Sequence, residues 1–117
     1  MAAFRLLPPE TAADPALLAH VARAGLVQHD GQGWGSRFDP AAYATRRPVD
    51  GWPLLPRIAA PTLIVRGELS PVLPRDMAER MREALPAASV VEIAGAYHHL
   101  MLDRPDAFVV AIGPALG

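Results

Sequence analysis

Two short apolar runs in the second half of the chain flank a stretch with helical periodicity. The run at 61–68 reads PTLIVRGE, and its consecutive apolar residues are typical of a strand covered on both faces. The run at 89–95, SVVEIAG, is rich in β-branched residues and predicts a second strand. Between them, Pro74 opens a stretch to about Leu85 with one apolar and one charged helical face. This order predicts a parallel βαβ unit with a right-handed crossover.

The first half of the chain carries one clear helical signal. Asp14 followed by Pro15 is a typical helix start, because Asp caps free amides and Pro at the first position loses no hydrogen bond. A helix is therefore predicted over 15–24, with Gly25 ending it in the left-handed conformation. Residues 29–40 show no period and predict an irregular loop, and the prolines that follow permit only short helical pieces, for instance at 41–45.

A final helix is predicted to begin near Pro105. Phe108, Val109 and Ile112 recur at helical spacing and form its apolar side. The Gly113-Pro114 pair is expected to fray its end.

Composition narrows the function classes. With 117 residues the chain is one domain or part of one, and its net charge of -1 leaves no basic stripe for nucleic acid. The absence of cysteine fits a reducing compartment, so a cytoplasmic location is expected. No stretch approaches the ~18 apolar residues that would span a bilayer, so no membrane partner is expected.

Four polar residues follow the two predicted strands. Glu68 and Ser70 come after the first strand, and His98 and His99 come after the second. Ligands of open parallel sheets collect at the carboxyl ends of the strands. These four residues are therefore the first candidates for chemistry, although a loop histidine taken alone is more often a surface residue.

Residues 58–112 resemble the C-terminal segment of the α/β-hydrolase fold, in the lid-bearing branch with esterases, epoxide hydrolases and C–C bond hydrolases. PTLIVRGE resembles the strand that leads to the catalytic acid, and GAYHHLMLDRPDAF resembles the loop that presents the catalytic histidine. Residues 4–26 and 30–40 are similar to the last lid helices and the return loop. The resemblance implies an α/β fold, with a lid-like helical segment at 1–57 and the C-terminal βαβα portion of the core at 58–117.

The resemblance implies that His98 is the catalytic histidine, which takes the proton of the nucleophile and returns it to the leaving group. The nucleophile of the family stands on an elbow of pattern G-x-S-x-G, and Ser36, Ser70 and Ser89 all lack that pattern. The half of the fold that carries the elbow and the oxyanion hole is therefore expected to be missing.

The catalytic acid is the departure from the family pattern. Ser70 and Pro71 occupy the positions where the family has Asp, and neither supplies a charge. Glu68 is the nearest carboxylate and could replace the catalytic acid only if the turn directs its side chain toward His98. The alternative is that Glu68 is a solvated surface residue. Asp103 is expected to cap the final helix rather than to act in catalysis.

The resemblance also implies a pocket role for His99 and Leu100 beside the lid. Metal binding is not expected, because two adjacent histidines lack a nearby third ligand, and no organic cofactor is implied.

Three interpretations remain open from the sequence: a truncated piece of a longer gene, a half-enzyme completed by a partner chain, and a non-catalytic binding or structural module. In the second, the substrate would be a small ester or acyl compound. Because two strands leave the one at 61–66 with an unpaired edge, an N-terminal half chain or a second copy is the expected partner.

Overall fold

A computed structural model of the protein describes residues 4–29, 31, 33–39 and 41–117. The chain divides into two compact units, one formed by Asp14–Asp50 and the other by Met1–Ala13 together with Gly51–Gly117. Residues 4–13 thus belong with the unit that contains the C-terminal half of the chain.

The smaller unit begins with the predicted helix, α1 (Pro15–Ala24), and the Asp14 side chain caps it by accepting from the Ala16 amide at 2.6 Å. The prediction that Gly25 ends this helix in the left-handed conformation is wrong. Its φ of -79° and ψ of -1° are right-handed, and its amide still donates to the Val21 carbonyl. The helix therefore ends without a left-handed residue.

The prediction of an irregular loop over 29–40 is also wrong in part, because the second strand of an antiparallel hairpin lies within this range. Strands β1 (Leu26–His29) and β2 (Gly33–Ser36) pair in register, and the helical turn α2 (Ala41–Ala44) follows as predicted. Gly31 and Gly33 have φ values of 73° and 84° in and after the turn. Glycine adopts these values without strain, so the chain reverses where hydrophobic periodicity gives no signal.

The larger unit contains the predicted βαβ motif. After a 3-10 helix at Trp52–Arg57, strands β3 (Thr62–Gly67) and β4 (Ala88–Ile93) pair in parallel across helix α3 (Arg75–Ala84). The chain ends in α4 (Leu100–Asp103), which was not predicted, and α5 (Pro105–Leu116). The expected fraying at 113–114 is wrong, because α5 continues through Pro114 to Leu116. The φ of proline is compatible with a helix, and its missing amide removes one hydrogen bond near a helix end that water solvates.

Alternate residues of β3 pack on opposite faces of the sheet. Ile64 joins Ala78 and Leu85 on the α3 side, whereas Val65 packs against a second cluster formed by Ile93, Ala96 and Leu100, with Phe108 and Ala111 of α5. This arrangement confirms the prediction of a strand covered on both faces. Val109, predicted on the apolar side of the last helix, is 63% exposed, because the face that meets the sheet passes through Phe108 and Ala111.

Candidate active site

The carboxyl ends of the two parallel strands are joined by backbone hydrogen bonds. Beyond Gly67, the Glu68 amide donates to the carbonyl of Ile93 at 3.0 Å, and the Leu69 amide donates to the carbonyl of Ala96 at 2.9 Å. The loop after β3 is thereby held against the loop after β4. Both loops carry polar residues that the sequence singles out, so this edge is the candidate site.

Gly67 permits this close approach. A Cβ atom built at this position would collide with the carbonyl oxygen of Tyr97 and would lie 2.5 Å from that of Ala96. Both neighbours are backbone atoms, which cannot move aside as the end of a side chain can. The absence of a side chain at Gly67 therefore sets the spacing between the two loops.

His98 and Ser70 meet across this edge. The Nδ1 atom of His98 lies 3.4 Å from Oγ of Ser70, which is buried. The same Oγ atom accepts hydrogen bonds from the amides of Val72 at 3.3 Å and Leu73 at 3.2 Å. The structure thus brings together two of the predicted site residues, and the hydroxyl beside the imidazole belongs to one of the two positions that the resemblance assigns to the catalytic acid.

Glu68 faces a different partner. Its side chain is exposed, and one carboxylate oxygen accepts from the Gly95 amide at 2.8 Å. Gly95 has a φ of 65°, so the bond braces a left-handed turn directly after β4. The catalytic role of Glu68 stays a prediction, and the contact observed here is with the backbone.

Asp103 is not the cap of the final helix. The cap position of α5 is Arg104, which makes no side-chain capping bond. The Asp103 carboxylate is buried and instead accepts from the amides of Tyr97 and Ala12, both at 2.8 Å, and from the hydroxyl of Thr11. It therefore ties the residue just before His98 to a segment some ninety positions upstream, a contact that no local pattern signals.

His99 and Leu100 have different surroundings. Nε2 of His99 lies 3.1 Å from the carbonyl oxygen of Pro8, and a carbonyl only accepts, so Nε2 carries the hydrogen. The His99 ring meets the His98 ring edge to face, with centroids 5.4 Å apart. Leu100 is buried in the core beside Ile93. The pocket role inferred for both residues stays a prediction.

Arg66 supports the loop that carries Ser70, and the sequence analysis missed it. It is buried, its Nε donates to the Leu73 carbonyl at 3.0 Å, and its Nη2 donates to the Glu68 carbonyl at 3.1 Å. Its remaining nitrogen pairs with Glu92 on β4. An arginine inside an otherwise apolar strand was the available signal, because a buried guanidinium requires several acceptors.

A cleft of about 540 Å³ lies at the opposite, amino ends of the strands, between Thr62, Ala88 and Pro114. The residues described around it carry no ionisable side chain, so it offers no acid-base chemistry. Across 4–29, 31, 33–39 and 41–117, no three His, Cys, Asp or Glu side chains converge as a metal site. None of the helices described combines the length and apolar character needed to cross a membrane.

The sequence matches the model of the alpha/beta hydrolase family over residues 1–112. None of the curated proteins compared matches the chain.

Three solved structures are similar to it. The crystal structure of an E-2-(acetamidomethylene)succinate hydrolase is 25% identical with a TM-score of 0.78, over 90% of this chain and 40% of that one. An alpha/beta hydrolase from the metagenome of lagoon sediments of Mar Chica, Morocco, is 27% identical with a TM-score of 0.54, over 57% and 31%. A thermophilic esterase from Thermogutta terrifontis with malate bound is 30% identical with a TM-score of 0.55, over 57% and 25%. The chain thus spans two fifths or less of these structures.

Proposed function

Since the chain belongs to the alpha/beta hydrolase family, we propose that it supplies the histidine of a hydrolytic site for a small ester or acyl compound. His98 is the proposed general base and acid, acting on a nucleophile that forms a covalent intermediate. The observation that carries the proposal is the position of His98 at the carboxyl end of β4, facing the loop that follows β3. We place this activity in the cytoplasm, in keeping with a chain without cysteine.

The nucleophile is proposed to come from outside the 117 residues. No G-x-S-x-G stands in the sequence, and Ser70, the serine beside His98, is buried and contacts Nδ1. In a hydrolytic triad the nucleophile shares the other ring nitrogen, Nε2. Ser70 therefore occupies the place of the acid, and the missing half of the fold would bring the nucleophile and the oxyanion hole.

The test is the hydrolysis of p-nitrophenyl acetate by the chain alone and by its mixture with the part of the E-2-(acetamidomethylene)succinate hydrolase that it does not match. We expect the mixture to hydrolyse the ester faster than the summed rates of its two components measured separately. His98→Ala should then lower the rate of the mixture by about 10²-fold, the part of the triad's contribution that remains when the acid is replaced by a hydroxyl.

His20→Ala is the matched control, because it also removes one imidazole but lies in α1 of the other unit. It separates site chemistry from the slow hydrolysis that any imidazole gives. Equal rates for the two variants would exclude His98 from catalysis, and a mixture no faster than its components would exclude the half-enzyme.

A non-catalytic binding or structural module is the second candidate, and one observation favours it: the group beside Nδ1 of His98 is a hydroxyl. Without a carboxylate the imidazolium formed during the reaction lacks its usual charge partner. This candidate predicts a monomer that unfolds cooperatively by itself, whereas the half-enzyme predicts self-association through the exposed edge of β3. Sedimentation and calorimetry distinguish the two.

A further inference from the structure

We infer that Ser70 is a positioning residue that holds neutral His98 in the tautomer with hydrogen on Nε2. The inference rests on the hydrogen bonds around one oxygen atom. Its consequence for catalysis, but not the tautomer itself, depends on the proposed function.

The argument is a count of donors and acceptors at Oγ of Ser70. A hydroxyl offers one hydrogen and two lone pairs. The amides of Val72 and Leu73 both point at this oxygen, and amides only donate, so they engage both lone pairs. The hydroxyl hydrogen is left for Nδ1 of His98, the third neighbour. Nδ1 is then the acceptor, and the hydrogen of the neutral ring is on Nε2.

The surroundings keep the two amides in place. Ser70 is only 7% exposed, and its own amide donates to the Gly67 carbonyl at 3.1 Å. Arg66 holds the Glu68 and Leu73 carbonyls on either side of it. A loop fixed at both ends leaves the hydroxyl no freedom to turn its lone pairs toward the imidazole.

This tautomer makes His98 a weaker general base, because the neutral ring must change tautomer before it can act. A base must accept the proton of the nucleophile at Nε2, which here already carries a hydrogen. In the serine-protease template, replacing the acid by its amide fixes the wrong tautomer and costs about 10⁴ in turnover. A carboxylate at position 70 would accept from Nδ1 and free Nε2, so Ser70→Asp is the informative change.

The measurement is a long-range ¹H–¹⁵N correlation spectrum of the full chain, recorded at a pH where the imidazoles are neutral, with His98 assigned by its loss in His98→Ala. We expect the Nε2–H pattern in the unchanged chain and the Nδ1–H pattern in Ser70→Asp. An Nδ1–H pattern in the unchanged chain would overturn the inference, as would an unaltered pattern in folded Ser70→Asp.

Ser70→Ala keeps the test decisive if the Asp variant fails to fold. Removing the hydroxyl takes a donor from Nδ1, so the resonance of this unprotonated nitrogen should shift. Ser89→Ala, at an exposed position on β4, is the control and should leave it unchanged. An unshifted resonance in Ser70→Ala would show that Ser70 makes no bond to the ring.

The activity of the mixture separates this inference from the proposed function. If both hold, Ser70→Asp raises the rate of p-nitrophenyl acetate hydrolysis by at least about tenfold, within the range that the tautomer is worth. If the spectrum shows the expected tautomers while His98→Ala leaves the rate unchanged, the inference stands and the proposed function fails. If instead His98→Ala lowers the rate while the spectrum does not show the expected tautomers, the proposed function stands and only the inference is rejected.

Discussion

Gly67→Ala is expected to lower the free energy of unfolding by about 3 kcal/mol, the upper part of the range for overpacking. The added methyl group would collide with the Tyr97 carbonyl and crowd that of Ala96, and neither atom can rotate away. Relief requires the two loops to separate. We therefore expect the ring signals of His98 to change as well, because its contact with Ser70 crosses the same gap.

Urea unfolding and the histidine ring spectrum together check this prediction. Gly51→Ala is the matched control, because a Cβ there meets nothing within 4 Å and its φ of -87° suits any residue. The control should change the stability by no more than about 0.5 kcal/mol and leave the His98 signals in place. Equal stability of the two variants would contradict a close approach of the loops at Gly67.

The sequence predicted the elements that are specified by local pattern. Strands β3 and β4 and helix α3 appear within one or two residues of the predicted positions, because buried strands and amphipathic helices show their burial in consecutive residues. The resemblance carried by the same segment predicted the family, which the match over residues 1–112 confirms. The hairpin at β1 and β2 was missed because glycines with positive φ reverse the chain without any periodic signal.

The candidate site was predicted in part. Topology placed Ser70 and His98 at one edge of the sheet, since parallel strands end on the same side, and the structure brings them within 3.4 Å. The hydrogen bonds that the backbone amides of Val72 and Leu73 donate to Ser70 could not be predicted from the sequence, because they depend on how the loop folds back. Asp103 lies two residues before Pro105, a position typical of a helix cap. Only the folded structure shows that its carboxylate instead accepts hydrogen bonds from Tyr97 and from residues 11–12.

Asp103→Ala is the second change with a large expected effect, a loss of about 3 kcal/mol in the free energy of unfolding. The carboxylate is 5% exposed and accepts three hydrogen bonds, two of them from backbone amides at 2.8 Å. Removing it leaves the amides of Tyr97 and Ala12 without their acceptor. Because the carboxylate lies in a buried position, water does not readily replace it as acceptor, so its loss costs more than the net strength of the hydrogen bonds.

Hydrogen exchange shows whether this loss reaches the site. In Asp103→Ala the amides of Tyr97 and Ala12 should exchange faster than in the unchanged chain, and the signals of His98, the next residue, should broaden or shift. Asp106→Ala, at an exposed position in the first turn of α5, should cost no more than about 1 kcal/mol. If both variants unfold at the same urea concentration, Asp103 does not hold the histidine loop. If only Asp103→Ala is destabilised, the upstream segment at 11–12 is part of the support of His98, and any partner chain that completes the site must leave that segment in place.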